Sequence, residues 1–115
     1  MTDRELLELA ARAAGYKICA RGSESVALVL SERKPDGTRL WNPLADDGDA
    51  LRLAVACDMT IWADGVIVSA CSGYGHDKVR ATVAVSECGA DKNYAVRRAI
   101  VRAAAELGKR DAGEV

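Results

Sequence analysis

The sequence predicts an α+β fold: a three-layer α/β/α sandwich, in which a mainly antiparallel sheet of about four to five strands lies between layers formed by three helices. Three observations point there. The periodicities come in blocks: helix, two or three strands, helix, hairpin plus strand, helix. Strands grouped in runs favour antiparallel pairing over alternating parallel units. The run Val26–Leu30 is apolar at every position, as in a strand covered on both faces. Asp64-Gly65 separates two apolar runs, a strong signal for a two-residue hairpin.

The 115 residues suit a single domain, 1–115, with a modest core. Half of them are hydrophobic, too many for a disordered chain, and phenylalanine is absent, so valine, leucine, isoleucine and alanine must build that core. A net charge of −1 supplies no global attraction to nucleic acid or anionic membranes. No apolar run is long enough to span a bilayer.

Thr2 and Glu5 stand at capping-box spacing, so the first helix begins at Asp3. Leu6, Leu9, Ala10 and Ala13 form its inward stripe, Arg4, Glu8 and Arg12 pair along the outer face, and Gly15 ends it. Tyr16–Ala20 reads as the first strand, Arg21–Ser25 as a turn and Val26–Ser31 as the second strand. Lys34–Gly37 makes a further turn and Thr38–Asn42 a short third strand.

The stretch Trp41–Val55, WNPLADDGDALRLAV, joins a strand end, a tight loop and a helix start. Pro43 excludes Asn42 from the helical region. Asp46 is the expected N-cap, while Asp47 and Asp49 place negative charge in the first turn against the helix dipole. Leu44 can pack back on the helix like a staple, and Ala50, Leu53, Ala54 and Cys57 form the buried face. The competing functional reading makes Asp46, Asp47 and Asp49 a hard-cation site. The following residues are apolar, however, and supply no distal acid of the kind a calcium loop requires.

Beyond this helix, Met59–Ala63 and Val66–Cys71 are the hairpin strands, and Gly73–Lys78 is a polar tip. Arg80–Glu87 alternates as a half-exposed strand near a sheet edge. Asp91 caps the last helix, whose stripe is Val96, Ala99, Ile100, Ala103, Ala104 and Leu107. Gly108 is expected to end it, leaving Lys109–Val115 as a frayed tail, flexible over 110–115.

WNPLADDGDALRLAV, the alanine-rich AVRRAIVRAAAELGK and the opening ELLELAARAAGY resemble the phage ABA sandwich domain family, over roughly Leu6–Lys109. The resemblance implies a sheet between helical layers and an origin in tailed phages or prophages. The family has no known function, so it implies no activity and no catalytic residues.

No cofactor fingerprint is present. The cysteines Cys19, Cys57, Cys71 and Cys88 form no C-x-x-C pair, and the polar N-terminus is unlike a secretory signal. They are therefore expected to be reduced thiols in the cytoplasm of a host cell. His76 has Asp77, Ser72 and Cys71 near it in sequence but no nucleophile elbow, and reads as an exposed loop histidine. Arg97, Arg98 and Arg102 are candidate phosphate contacts on the last helix. The bland alternative pairs Arg102 with Glu106.

The leading expectation is a non-enzymatic phage accessory protein that binds a phage or host protein or assembles with itself as a dimer. A nucleic-acid-associated regulator using the last helix is the alternative, and a metal-dependent enzyme using the aspartates the third. The motif Trp41, Asn42, Pro43, Asp46, Asp47 and Asp49 is the candidate interface. Trp41 serves either as a core anchor or as a half-exposed subunit contact, and the Arg80–Glu87 strand offers an edge for pairing.

Overall fold

The computed structural model of the protein describes residues 2–21, 28–31, 38–73 and 78–111; over 17–21, 28–31 and 38–40 and at 111 the description is of the backbone. The element order is α1 (Asp3–Ala14), β1 (Lys17–Arg21), β2 (Leu28–Ser31), β3 (Thr38–Trp41), α2 (Asp47–Ala56), β4 (Thr60–Ala63), β5 (Ile67–Ser72), β6 (Val79–Ala84), a 3-10 turn (Val85–Cys88) and α3 (Lys92–Asp111). The α+β class, the three helices and the antiparallel pairing are as expected.

The helix boundaries follow local chemistry. Thr2 Oγ1 accepts the Glu5 amide at 3.2 Å to open α1. Gly15, at φ 76°, closes it in the left-handed conformation while the Tyr16 amide returns to the Ala11 carbonyl. Asp46 caps α2 through the Asp49 amide at 2.8 Å. Helix α2 ends in the same way as α1, with the Met59 amide bonded to the Ala54 carbonyl and the Asp58 amide to that of Val55. Here an aspartate takes the left-handed position, at φ 52°. Asp91 Oδ1 accepts the Tyr94 amide at 3.0 Å and starts α3.

The expected single sheet of about four to five strands is not found among the described residues. There, six strands make two separate three-stranded antiparallel sheets, β1-β2-β3 and β4-β5-β6. The first has Leu28 opposite Trp41 and Ser31 opposite Thr38, with an irregularity in β1 between Ile18 and Ala20. In the second, Thr60–Ala63 pairs with Cys71–Val68, and Ile67–Ser72 with Ala84–Val79. The hairpin turns one residue later than expected. The Asp64 amide bonds the Ile67 carbonyl, so the two loop residues are Gly65, at φ 90°, and Val66. Strand β6 stops at Ala84, because the chain turns into the 3-10 segment once the Val85 amide has bonded the Val66 carbonyl. The turns expected at 22–25 and 34–37, His76 and most of the Gly73–Lys78 tip lie outside the described residues, as do the side chains of Val26–Leu30.

The core is organised around α3. Ala95, Ala99, Ile100, Val101, Ala103, Ala104 and Ala105 are all buried, a wider face than one stripe, because α3 meets α1, α2 and the β4–β6 sheet together. Gly108 does not end this helix. It lies inside it, where a Cβ would stand 2.0 Å from the main-chain oxygen of Leu9 on α1. Glycine there permits close backbone approach, and the helix continues through Asp111. Arg98 adds a polar tie between the same helices, its guanidinium 3.4 Å from Asp3. On the β4–β6 sheet, Val68, Ala70, Ser72, Val79 and Val83 face α3 and are buried. Buried Ser72 is satisfied by donating to the Cys57 carbonyl at 2.5 Å. Among the described residues no element covers the opposite face of this sheet.

Candidate functional site

The WNPLADD stretch is structural. Trp41 is fully buried, its ring edge-on to Tyr16 at 5.6 Å between centroids and 86° between planes. It anchors the loop to the core and does not stand half-exposed at a subunit contact. The Asn42 side chain accepts the Leu44 amide at 3.1 Å, and its carbonyl accepts the Ala45 and Asp46 amides. This turn folds Pro43 and Leu44 inward. The three aspartates are taken up by structural partners, with Arg52 shared between Asp46 at 3.8 Å and Asp49. Asp46 caps α2, Asp47 receives Arg97 Nη1 at 2.6 Å, and Asp49 receives both the Asn42 amide at 3.0 Å and Arg52 Nη2 at 2.8 Å. Among the described residues no group of three or more histidine, cysteine or acidic side chains is placed to hold a metal ion.

The three arginines of α3 do not form one phosphate-binding face. Arg97 is largely buried, donating from Nε to the Leu44 carbonyl at 2.8 Å and pairing with Asp47, so it stitches α3 to the loop before α2. Arg98 turns the other way, to Asp3 and the Tyr94 hydroxyl. Arg102 shares a hollow with Arg98 that also holds the acids Asp3 and Glu87, and borders a second cleft of about 530 Å³ with Lys78, Arg80, Lys109 and Arg110. Glu106 also borders this cleft and pairs with Lys109 at 3.3 Å, so the expected partnership with Arg102 does not form.

The surface least explained by folding is the open face of β4–β6. Strand register places Trp62, Ser69 and Thr82 in one row across it and Thr60, Cys71 and Arg80 in the next. Ser69 and Thr82 hydroxyls lie 3.0 Å apart, and Arg80 Nε meets Cys71 Sγ at 3.3 Å. Trp62 is 61% exposed, with exposed Val66 and Ile67 beside it. Trp62, Ile67, Ser69 and Cys71, with Asp58, Lys78 and Arg80 at the rim, wall a cleft of about 510 Å³.

The adjoining turn is rigidly held. Asp64 accepts the Ile67 and Val66 amides at 2.9 and 2.8 Å. These bonds, that of Ile67 foremost, hold its carboxyl below the usual aspartate value, with the Trp62 indole contributing. Every residue of β4 is exposed, and no described strand pairs with its outer edge. The chain has two tryptophans, and the interface expectation rested on Trp41. The overlooked signal was that β4, Thr-Ile-Trp-Ala, carries no charge.

Searches for relatives found no family model, no curated protein and no solved structure that matches the chain.

Proposed function

We propose that the protein is a non-enzymatic binding or self-assembly factor of phage or prophage origin, acting in the host cytoplasm through the open β4–β5 side of its second sheet. The carrying observation is Trp62, more than half exposed beside Ile67 on a sheet face without a described cover, with exposed Val66 in the adjoining turn. Large exposed apolar side chains grouped on one surface mark interaction sites, and tryptophan is the residue most enriched at binding hot spots. The phage origin rests on the family resemblance of the WNPLADDGDALRLAV and AVRRAIVRAAAELGK stretches. No described helix is long and apolar enough to cross a membrane.

A photo-crosslinking residue at position 62 tests this reading, with one at exposed Glu106 as the control. The expected result is a discrete protein adduct from position 62 alone, in cells carrying the phage. Absence of any adduct from position 62, including adducts between copies of the chain, would overturn it.

The second reading, contact with a polyanion, is favoured by one observation. Lys78, Arg80, Arg102, Lys109 and Arg110 border one cleft against the single acid Glu106. Steeply salt-dependent binding of single-stranded nucleic acid, lost in Arg102→Ala but retained in Trp62→Ala, would favour it over the first.

A further inference from the structure

We propose that the outer edge of β4 pairs antiparallel with β4 of a second copy, with Trp62 directly opposite its twofold mate, giving one continuous six-stranded sheet. This rests on the binding reading above and names its partner.

The two edges of the β4-β5-β6 sheet differ. The β6 edge carries Arg80 and is flanked by Lys78, Arg102, Lys109 and Arg110, and such charge guards an edge against strand addition. The edge expected from sequence to mediate self-pairing is thus the protected one. Strand β4 has neither charge nor proline, and its isoleucine, threonine and tryptophan are strong strand formers. Exposed Trp62 and Ile67 flank it on one face. On the other, Ile61 borders a groove with Leu51, Val96 and Ile100.

The register follows from hydrogen-bond alternation. The Asp64–Ile67 bond closes the hairpin, and residues directly opposed in an antiparallel pair alternate between bonded and non-bonded. Trp62 and Thr60 therefore bond β5, and the amides and carbonyls of Ile61 and Ala63 point to the free edge. A twofold axis normal to the sheet opposes residues of the same face. Registers centred on Thr60 or Ala63 set half of each β4 against residues outside the strand, which leaves two that use these free groups. Centring on Ile61 sets Asp64 against the mate's Asp58, a like-charge opposition that disfavours pairing. Centring on Trp62 sets Asp64 against Thr60, bonds Ile61 reciprocally with the mate's Ala63, and brings the two indoles together as a close non-bonded pair.

Sedimentation equilibrium of the full chain across a hundredfold concentration range, with amide exchange followed by NMR, tests the proposal. We expect a monomer–dimer equilibrium in which the Ile61 and Ala63 amides gain protection with concentration while those of Arg80 and Thr82 do not. Ala63→Pro removes an edge amide, and Trp62→Lys opposes two cations. Each is expected to raise the dissociation constant by roughly tenfold or more. Trp62 is exposed, so Trp62→Lys retains the monomer fold by circular dichroism even if Ala63→Pro does not. A monomer at every concentration overturns the self-pairing, as does a dimer insensitive to Trp62→Lys. In either case a position-62 adduct to a different protein would still sustain the binding reading, so the two failures are distinguishable.

Discussion

The carboxylate of Asp49 accepts the main-chain amide of Asn42 at 3.0 Å, seven residues back along the chain. The aspartate is buried, and its second oxygen holds Arg52 at 2.8 Å. One side chain thus fixes both the loop leaving β3 and the first turn of α2. Asp49→Ala is expected to destabilise the fold by about 2–3 kcal/mol, as for loss of a charged hydrogen-bond acceptor that leaves a main-chain donor unmet. The exposed cap substitution Asp46→Ala is expected to cost only about 1 kcal/mol. Urea unfolding of both variants checks the order, and an Asp46 effect larger than that of Asp49 would contradict this account.

Gly108 gives a prediction whose sign opposes helix propensity. In an uncrowded helix interior, alanine is more stable than glycine by about 1 kcal/mol. Here the added methyl would collide with the Leu9 carbonyl of α1. Gly108→Ala is expected to lower stability by about 2 kcal/mol or more, since overpacking outweighs propensity. A raised melting temperature would show that the two helices are not in close backbone contact.

Asp58 occupies a left-handed conformation that costs a non-glycine residue free energy. Asp58→Gly is expected to stabilise the protein by about 0.5–1 kcal/mol, visible as a higher denaturant midpoint with an unchanged slope. The corresponding Gly15→Ala is expected to move stability in the opposite direction.

Asp64 carries a pH dependence. Its folded-state pKa lies below the ordinary aspartate value, so the carboxylate form is the one the hairpin favours. The stability it adds is fully present above about pH 5 and is lost as pH falls through the lowered folded value. Asp64→Ala is expected to flatten that part of the stability–pH curve and leave neutral behaviour of other groups intact. A titration of the Asp64 carboxyl carbon by NMR that gives an ordinary midpoint would remove the basis for this expectation.

What could be read from the sequence was what local chemistry settles. Thr2, Gly15, Asp46 and Asp91 act within a few residues of themselves, and each sits where its capping chemistry places it. Gly108 was misread because glycine both terminates helices and lets backbones approach. Only the position of Leu9, far away in sequence, separates the two roles. The turn slipped by one residue because Asp64 accepts amides with its side chain while Gly65 supplies the positive φ. The open sheet face was hidden for a different reason. Alternation in β5 and β6 distinguishes two faces, but it does not say that a helix covers one of them alone. Trp41 and Trp62 had equal claim to the surface by residue type. Burial divided them, placing Trp41 against Tyr16 and leaving Trp62 outside.

The pairing of α1 with α3 also dictates the order in which the chain can mature during synthesis. Asp3 and Arg98, which meet across this contact, are 95 residues apart in sequence. The β4–β5 and β5–β6 hairpins are closed by neighbours in sequence and can form as they emerge. The first helix must wait for the last one. Until then Leu7, Ala10 and Ala11 lack the helix that α1 contacts most extensively, and the sheet lacks the layer that α3 provides. Loop closure of this span precedes the reward of its contacts, which slows the joining of the two helices. During that interval both faces of β4–β6 are open, so nascent chains are most exposed to mispairing with one another just before α3 docks.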